Sequence, residues 1–126
     1  MASEKRIKAR KFGEFAEEMA ANEYISRGYT VRERKWRLGK TEIDLIAQKE
    51  NVIVIIEVKS RGMGGREALM AVNYDKRRRM VRAADAYLHR CQGFFEYRFD
   101  IVACSGTEED FNLEIFENAF LATDLL

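Results

Sequence analysis

The stretch VIVIIEVKS, Val52 to Ser60, constrains the fold of this chain more than any other. Five consecutive β-branched apolar residues favour an extended strand covered on both faces, as a central strand of a helix-flanked sheet is. The run then passes into Glu57 and Lys59, with one valine between them. Strand side chains alternate in direction, so Ile53, Ile55, Glu57 and Lys59 share one face and Val52, Val54, Ile56 and Val58 the other. Glu57 and Lys59 therefore stand side by side, about 6.5 Å apart along the strand. Opposite charges leaving a core strand in this way call for either solvent or a chemical purpose.

The flanking sequence supplies the other elements. From about Ser3 to Arg27, apolar residues recur at helical spacing (Phe12, Phe15, Ala16, Met19, Ala20, Tyr24); Ser3 is placed to cap the start and Gly28 to stop the helix. Tyr29 to Arg37 alternates as a half-exposed strand, with Tyr29, Val31, Glu33 and Lys35 on one side. Leu38-Gly39-Lys40 reads as a turn, Thr41 to Gln48 as a second strand, and Lys49-Glu50-Asn51 as a tight turn into Val52. Ser60 to Arg66, with three glycines, reads as a mobile loop. A helix then opens at Asn73 or Asp75 and runs to about Cys91, with Met80, Ala83, Ala84, Tyr87, Leu88 and Cys91 on one stripe. Tyr97 to Cys104 is a fourth strand and Asn112 to Phe116 a fifth; the final AFLATDLL either caps the core or offers an interface. The order α-β-β-β-α-β(-β), a three-stranded meander followed by a helical crossover, predicts an α/β fold with a mixed sheet and flanking helices. At 126 residues, a single domain over 1–126 is the expectation.

Composition excludes several chemistries. His89 is the only histidine, so no multi-histidine metal site can form, and no serine has an obvious histidine base. Cys91 and Cys104 lack metal-ligand or redox spacing and read as buried free thiols. An enzyme of this composition works with carboxylates, lysines and an oxygen-preferring cation. No apolar run approaches a membrane span, and MASEKRIKARKF lacks the apolar core of a secretory signal, so a cytoplasmic protein with no membrane partner is expected.

Net charge is only +1, but it is unevenly spread. Residues 1–40 hold eleven Lys/Arg against six Asp/Glu, and Asp75 to Arg82 reads DKRRRMVR. Residues 101–126 hold six acids and no base. Such asymmetry suits a basic face that meets nucleic acid, although a charge run also describes an ordinary solvated helix face.

Asp44 interrupts a second apolar segment, IDLIA. If the turn at Glu50 joins the two strands as a hairpin, Asp44 comes level with Glu57. Two carboxylates side by side on a sheet repel and are costly to bury, unless a divalent cation lies between them. Magnesium takes hard oxygen ligands, often one or two carboxylates plus substrate phosphate oxygens, and Lys59 beside it could align or deprotonate a water. Those parts are the usual means of cleaving a phosphodiester. The same spacing also describes a solvated ion pair at a strand end. Glu17 shares a helix flank with the small residues Gly13 and Ala20, which let the helix approach the sheet, so Glu17 could reach the same site or remain a half-exposed helix glutamate. Glu42 shares Asp44's face and competes with it for the assignment.

The pattern Gly13-x-x-Ala16-Glu17, Arg27-Gly28-Tyr29, EIDLIA from Glu42 to Ala47 and IEVKSR from Ile56 to Arg61 resembles the bacterial YraN family. Lys76 in DKRRR, the AAxAYL of Ala83 to Leu88 and RFDIV from Arg98 to Val102 extend the likeness over nearly the whole chain. The resemblance implies a restriction-endonuclease-like fold with a PD-(D/E)xK site, related to Holliday-junction resolvases. By that resemblance Asp44 is the aspartate, Glu57 the (D/E), Lys59 the lysine and Glu17 the helix glutamate, with the Val58 backbone carbonyl a further metal ligand. Thr41 and Ala16 stand where the family usually has glycine, changes that touch turn geometry and helix approach.

The expected function is a DNA endonuclease using Mg2+ or Mn2+, acting on branched or structured DNA. Lys76, Arg77, Arg78, Arg79 and Arg82, with Arg61 and Arg66 of the glycine loop, would contact phosphates, which positions a duplex without reading its sequence. Paired cuts across two strands would call for a homodimer. The alternative is a non-catalytic nucleic-acid-binding or adaptor module on the same fold.

Overall fold

The computed structural model describes residues 2–60 and 65–125. In chain order it contains α1 (Ala2–Ser26), β1 (Thr30–Leu38), β2 (Thr41–Lys49), β3 (Val52–Lys59), α2 (Gly65–Ala71), α3 (Tyr74–Arg90), β4 (Glu96–Gly106), β5 (Phe111–Phe120) and a short 3-10 helix (Ala122–Leu125). The five strands form one sheet in the order β1-β2-β3-β4-β5. β3 and β4 are parallel and every other neighbouring pair is antiparallel. This is the mixed α/β sheet flanked by helices that the element order predicts, with the general topology of PD-(D/E)xK folds.

β3 lies at the centre of the sheet because both of its faces are covered. Ile53 and Ile55 pack with Phe99, Ile101, Met80, Ala83 and Tyr87 under α3. Val54 and Ile56 pack with Leu45, Val102, Ala16, Ala20 and Tyr24 under α1. Side chains of this size contribute about 1.5–3 kcal/mol each when fully buried, so two complete apolar layers hold β3 rigidly. Gly28 ends α1 in a left-handed conformation (φ 92°), which returns the chain to β1 along the sheet edge. Asn73 caps α3 by accepting the Lys76 backbone N–H at 3.0 Å, and this fixes where that helix begins.

Four local expectations change. Gly65 and Arg66 belong to α2, a helix rather than the end of a loop; Ala68 and Val72 anchor it in the core, and residues 61–64 are outside the described set. β5 runs on to Phe120, whose ring stacks on Phe99 at 4.7 Å, and Ala119 and Ala122 join the same cluster. The described C-terminal residues up to Ala122 thus cap the core. The alternation of β1 also fails: Val31 packs under α1, whereas Glu33 accepts the Tyr87 hydroxyl on the α3 side. A bulge between Val31 and Glu33 causes the switch by inserting one residue into the edge strand. Lastly, α1 begins at Ala2, so Ser3 lies inside the helix instead of capping it. No described helix is long and apolar enough to cross a membrane.

Candidate metal centre

The β2–β3 ladder runs from Lys49↔Val52 up to Leu45↔Ile56 and stops one step short of Asp44 and Glu57. At that step the backbone pairing gives way to a side chain: the Val58 N–H donates to Asp44 Oδ2 at 2.7 Å. The cause is a phase slip in β2. Ile43 packs in the cluster under α3 and Leu45 in the cluster under α1, although two residues apart on a regular strand they would share a face. The slip turns Asp44 towards β3. Opposite it on β1, between the pairs Arg34↔Leu45 and Trp36↔Ile43, Lys35 takes a left-handed backbone (φ 50°), which a non-glycine residue adopts at a cost of about 1–2 kcal/mol. Lys35 Nζ then lies 3.5 Å from Glu17 Oε2 on α1.

These distortions gather acids. Glu17, Glu42 and Asp44, each half-buried, have carboxylate oxygens within 4.8 Å of one another. Glu57, 5% exposed, adjoins Asp44 on the β3 side, with Lys59 Nζ at 3.4 Å and Lys76 Nζ at 3.6 Å from its Oε2. All six side chains line an open pocket of about 370 Å³, bounded on the helix side by Gly13 and on the strand side by Val58 and Ser60. Arg37 holds Glu42 from outside at 2.7 Å.

Burial pushes the Asp44 carboxyl up to about 9, and the neighbouring charge of Glu57, a hydrogen bond with it, and Glu17 push the same way. The Val58 N–H works against them. A proton on Asp44 or a bound cation therefore eases the conflict among these carboxylates. The donor set is oxygen only, and among the described residues Asp44 has no cationic partner of its own, which fits a hard divalent cation such as Mg2+.

Asp44, Glu57, Lys59 and Glu17 thus lie together, with the Val58 backbone at the same pocket. Lys76 reaches the pocket because it is four residues before buried Met80, on the stripe of α3 that faces the sheet. Arg66, Arg78, Arg79 and Arg82 are exposed on α2 and α3, and Arg61 lies outside the described residues. Arg77 points elsewhere. Its Nε donates to the Val72 carbonyl at 2.7 Å and its Nη2 to the Leu69 carbonyl at 3.3 Å, and it lies over the Phe120 ring. Those carbonyls at the end of α2 lack helical partners, so the guanidinium is taken up in capping. Gly13 is not sterically required, since a Cβ there would meet nothing nearer than the Ser60 hydroxyl at 3.5 Å.

Two residues at the acid cluster, Glu42 in the pocket and Lys35 against Glu17, stand outside the sequence-based set. Glu42 is readable as lying two residues from Asp44 on the same strand face, which makes it a competitor in the sequence and a companion in the structure. Lys35 had no signal, because a lysine gives no sign of left-handed backbone.

Residues 16–104 match the model of the family described as Uncharacterised protein family UPF0102. A UPF0102 protein of Phocaeicola vulgatus is 39% identical over 112 residues, covering 86% of this chain and 91% of the relative. One from Bacteroides thetaiotaomicron is 41% identical over 107 residues, 83% of this chain and 88% of the relative. A third, from Agrobacterium fabrum, is 45% identical over 103 residues, 80% and 84% of the two chains. The matched span takes in Glu17, Glu42, Asp44, Glu57, Lys59 and Lys76, and the chain belongs to the UPF0102 family, the YraN-like proteins related to the PD-(D/E)xK fold.

Proposed function

We propose that this protein is a divalent-cation-dependent endonuclease that hydrolyses phosphodiester bonds in DNA, with branched or structured DNA preferred over a fixed sequence. The observation carrying this reading is the cluster of carboxylate oxygens around Asp44, within reach of a lysine on the central strand. Asp44, Glu57 and the Val58 carbonyl would hold Mg2+ or Mn2+, with Glu17 and Glu42 on its outer side. When bound, such a cation polarises the scissile phosphate and makes an attacking water more acidic.

The protein's own groups do the rest. Lys59, held beside Glu57, orients the attacking water and, when neutral, accepts its proton. Lys76 faces the same oxygen from α3 and meets the phosphate that enters the pocket. Arg66, Arg78, Arg79 and Arg82 contact the backbone on either side. Lysines and arginines used in this way position nucleic acid through phosphates, which supports recognition of shape over base sequence.

The test offers a four-way junction and a linear duplex to the purified chain with Mg2+, Mn2+ or EDTA. Cleavage is expected only with metal, and it should fall at least about 100-fold in Asp44→Ala and in Lys59→Ala. Cleavage that survives both substitutions would place the chemistry elsewhere. Salt-dependent binding without cleavage would instead identify a non-catalytic nucleic-acid-binding module.

A further inference from the structure

Only the second half of α1 is buried against the sheet. That half holds the buried residues Ala16, Ala20, Ala21 and Tyr24, whereas every residue from 3 to 11 is exposed. That arm carries Lys5, Arg6, Lys8, Arg10 and Lys11 against one acid, Glu4. Among the described residues no ion pair joins any of the five cations.

The charge pattern does not serve the helix itself. Cations in the first turns oppose the positive end of the helix dipole. Lys5 and Lys8, Arg6 and Arg10, and Lys8 and Lys11 are like-charged pairs at helical neighbour spacing, each slightly destabilising. The arrangement suits a polyanion. It does not suit membrane insertion, because Ile7 is the arm's one large apolar side chain.

Direction is set by helical phase. Arg6, Arg10, Gly13 and Glu17, spaced four, three and four apart, run along one flank of α1. Gly13 and Glu17 on that flank line the acidic pocket. At ~1.5 Å per residue, Arg10 and Arg6 stand roughly 10 and 16 Å beyond Glu17 along the axis. The wall of the pocket thus continues outward as two guanidinium groups about 6 Å apart in rise, near the ~6.8 Å that two nucleotides of one duplex strand span. Lys8 and Lys11 face away from this flank.

We propose that residues 3–11 form a phosphate-binding arm that tracks the nucleic-acid backbone beside the acidic pocket, with Arg6 and Arg10 as its contacts. The choice of DNA as partner rests on the nuclease reading above. The test measures anisotropy of labelled duplex and junction DNA in EDTA, between about 50 and 200 mM salt. It compares the full chain with Arg6→Ala/Arg10→Ala and with Lys8→Ala/Lys11→Ala, while circular dichroism melts check that each folds.

Loss of two phosphate contacts should lower the slope of log affinity against log salt by about 1.8 for the arginine pair. The lysine pair should change it by less than half as much. Three results would overturn the arm: a wild-type chain that binds no DNA, an arginine pair with unchanged slope, or equal losses from both pairs. Tighter arm-dependent binding to phosphatidylserine vesicles than to DNA would overturn the choice of partner. Cleavage by the wild type with unchanged binding by the arginine pair would remove the arm and leave the nuclease. Arm-dependent binding without metal-dependent cleavage would do the reverse.

Discussion

Asp100 on β4 and Asp44 on β2 are both set among apolar strand residues, and the protein provides for them in opposite ways. Asp100 is fully buried and surrounded by donors. Tyr24 Oη donates to its Oδ2 at 2.7 Å, Arg98 binds both oxygens at 2.8 and 2.9 Å, and the Asn118 N–H donates at 3.0 Å. Arg98 is in turn held by the Tyr29 hydroxyl, and the Tyr24 phenol, buried against Asp100, is pushed well above its ordinary range. This network joins α1 to the bulged end of the β4–β5 pair and leaves no acceptor idle. Asp44 has one N–H donor, from Val58, and carboxylates for its remaining neighbours. A buried aspartate with a full donor set is part of the framework. One that is crowded by acids could hold a cation.

Breaking the Asp100 network should have the largest effect. Asp100→Ala leaves Arg98 without its buried partner and is expected to destabilise the fold by about 3–5 kcal/mol in urea unfolding. Asp44→Asn should go the other way. Its amide oxygen can still accept the Val58 N–H while the charge conflict disappears, so the metal-free protein gains about 0.5–2 kcal/mol. A loss of stability in Asp44→Asn would erase the contrast between the two sites.

The pH dependence sharpens it. Asp44 titrates near 3.8 when unfolded and about 9 when folded without metal, so the native state binds the extra proton. Stability of the metal-free chain should therefore be greatest below about pH 4 as far as Asp44 is concerned, and decline as pH rises towards 9. Asp44→Asn should flatten that decline in denaturant titrations read at successive pH values. Lys35→Gly should have the smallest effect. Relief of the left-handed strain is nearly offset by the backbone entropy of glycine, for a net gain within about 1 kcal/mol. Cleavage should still fall as Glu17 loses its partner.

The Asp44 side of this contrast is legible in the residues, for identifiable reasons, whereas nothing in the sequence marks Asp100 as the centre of a network. The run Val52–Ile56 points to a two-sided central strand because five consecutive apolar β-branched residues between turns favour a strand covered on both faces. Counting from the turn at Glu50 places Asp44 beside Glu57, since hairpin register follows from turn position. Helical phase only allows Glu17 to reach the site; its assignment rests mainly on the family resemblance. What stayed hidden depends on tertiary contact. α2 is seven residues long and is held by docking Ala68 and Val72, so the glycines before it dominate the local pattern. The split between Lys76 and Arg77, adjacent and alike in chemistry, depends on which stripe of α3 meets the sheet and on the carbonyls that α2 offers to Arg77. The phase slip at Asp44 and the left-handed Lys35 have no residue signature; both are distortions that the finished sheet imposes.

Whether the acids around Asp44 bind a divalent cation can be read from calorimetric titration of the metal-free chain with Mn2+ at about pH 7.5. One site per chain is expected, with uptake accompanied by release of close to one proton as the metal displaces the proton held by Asp44, and with loss of both in Asp44→Asn. Absence of binding, or binding that Asp44→Asn leaves unchanged, would contradict a cation site at Asp44.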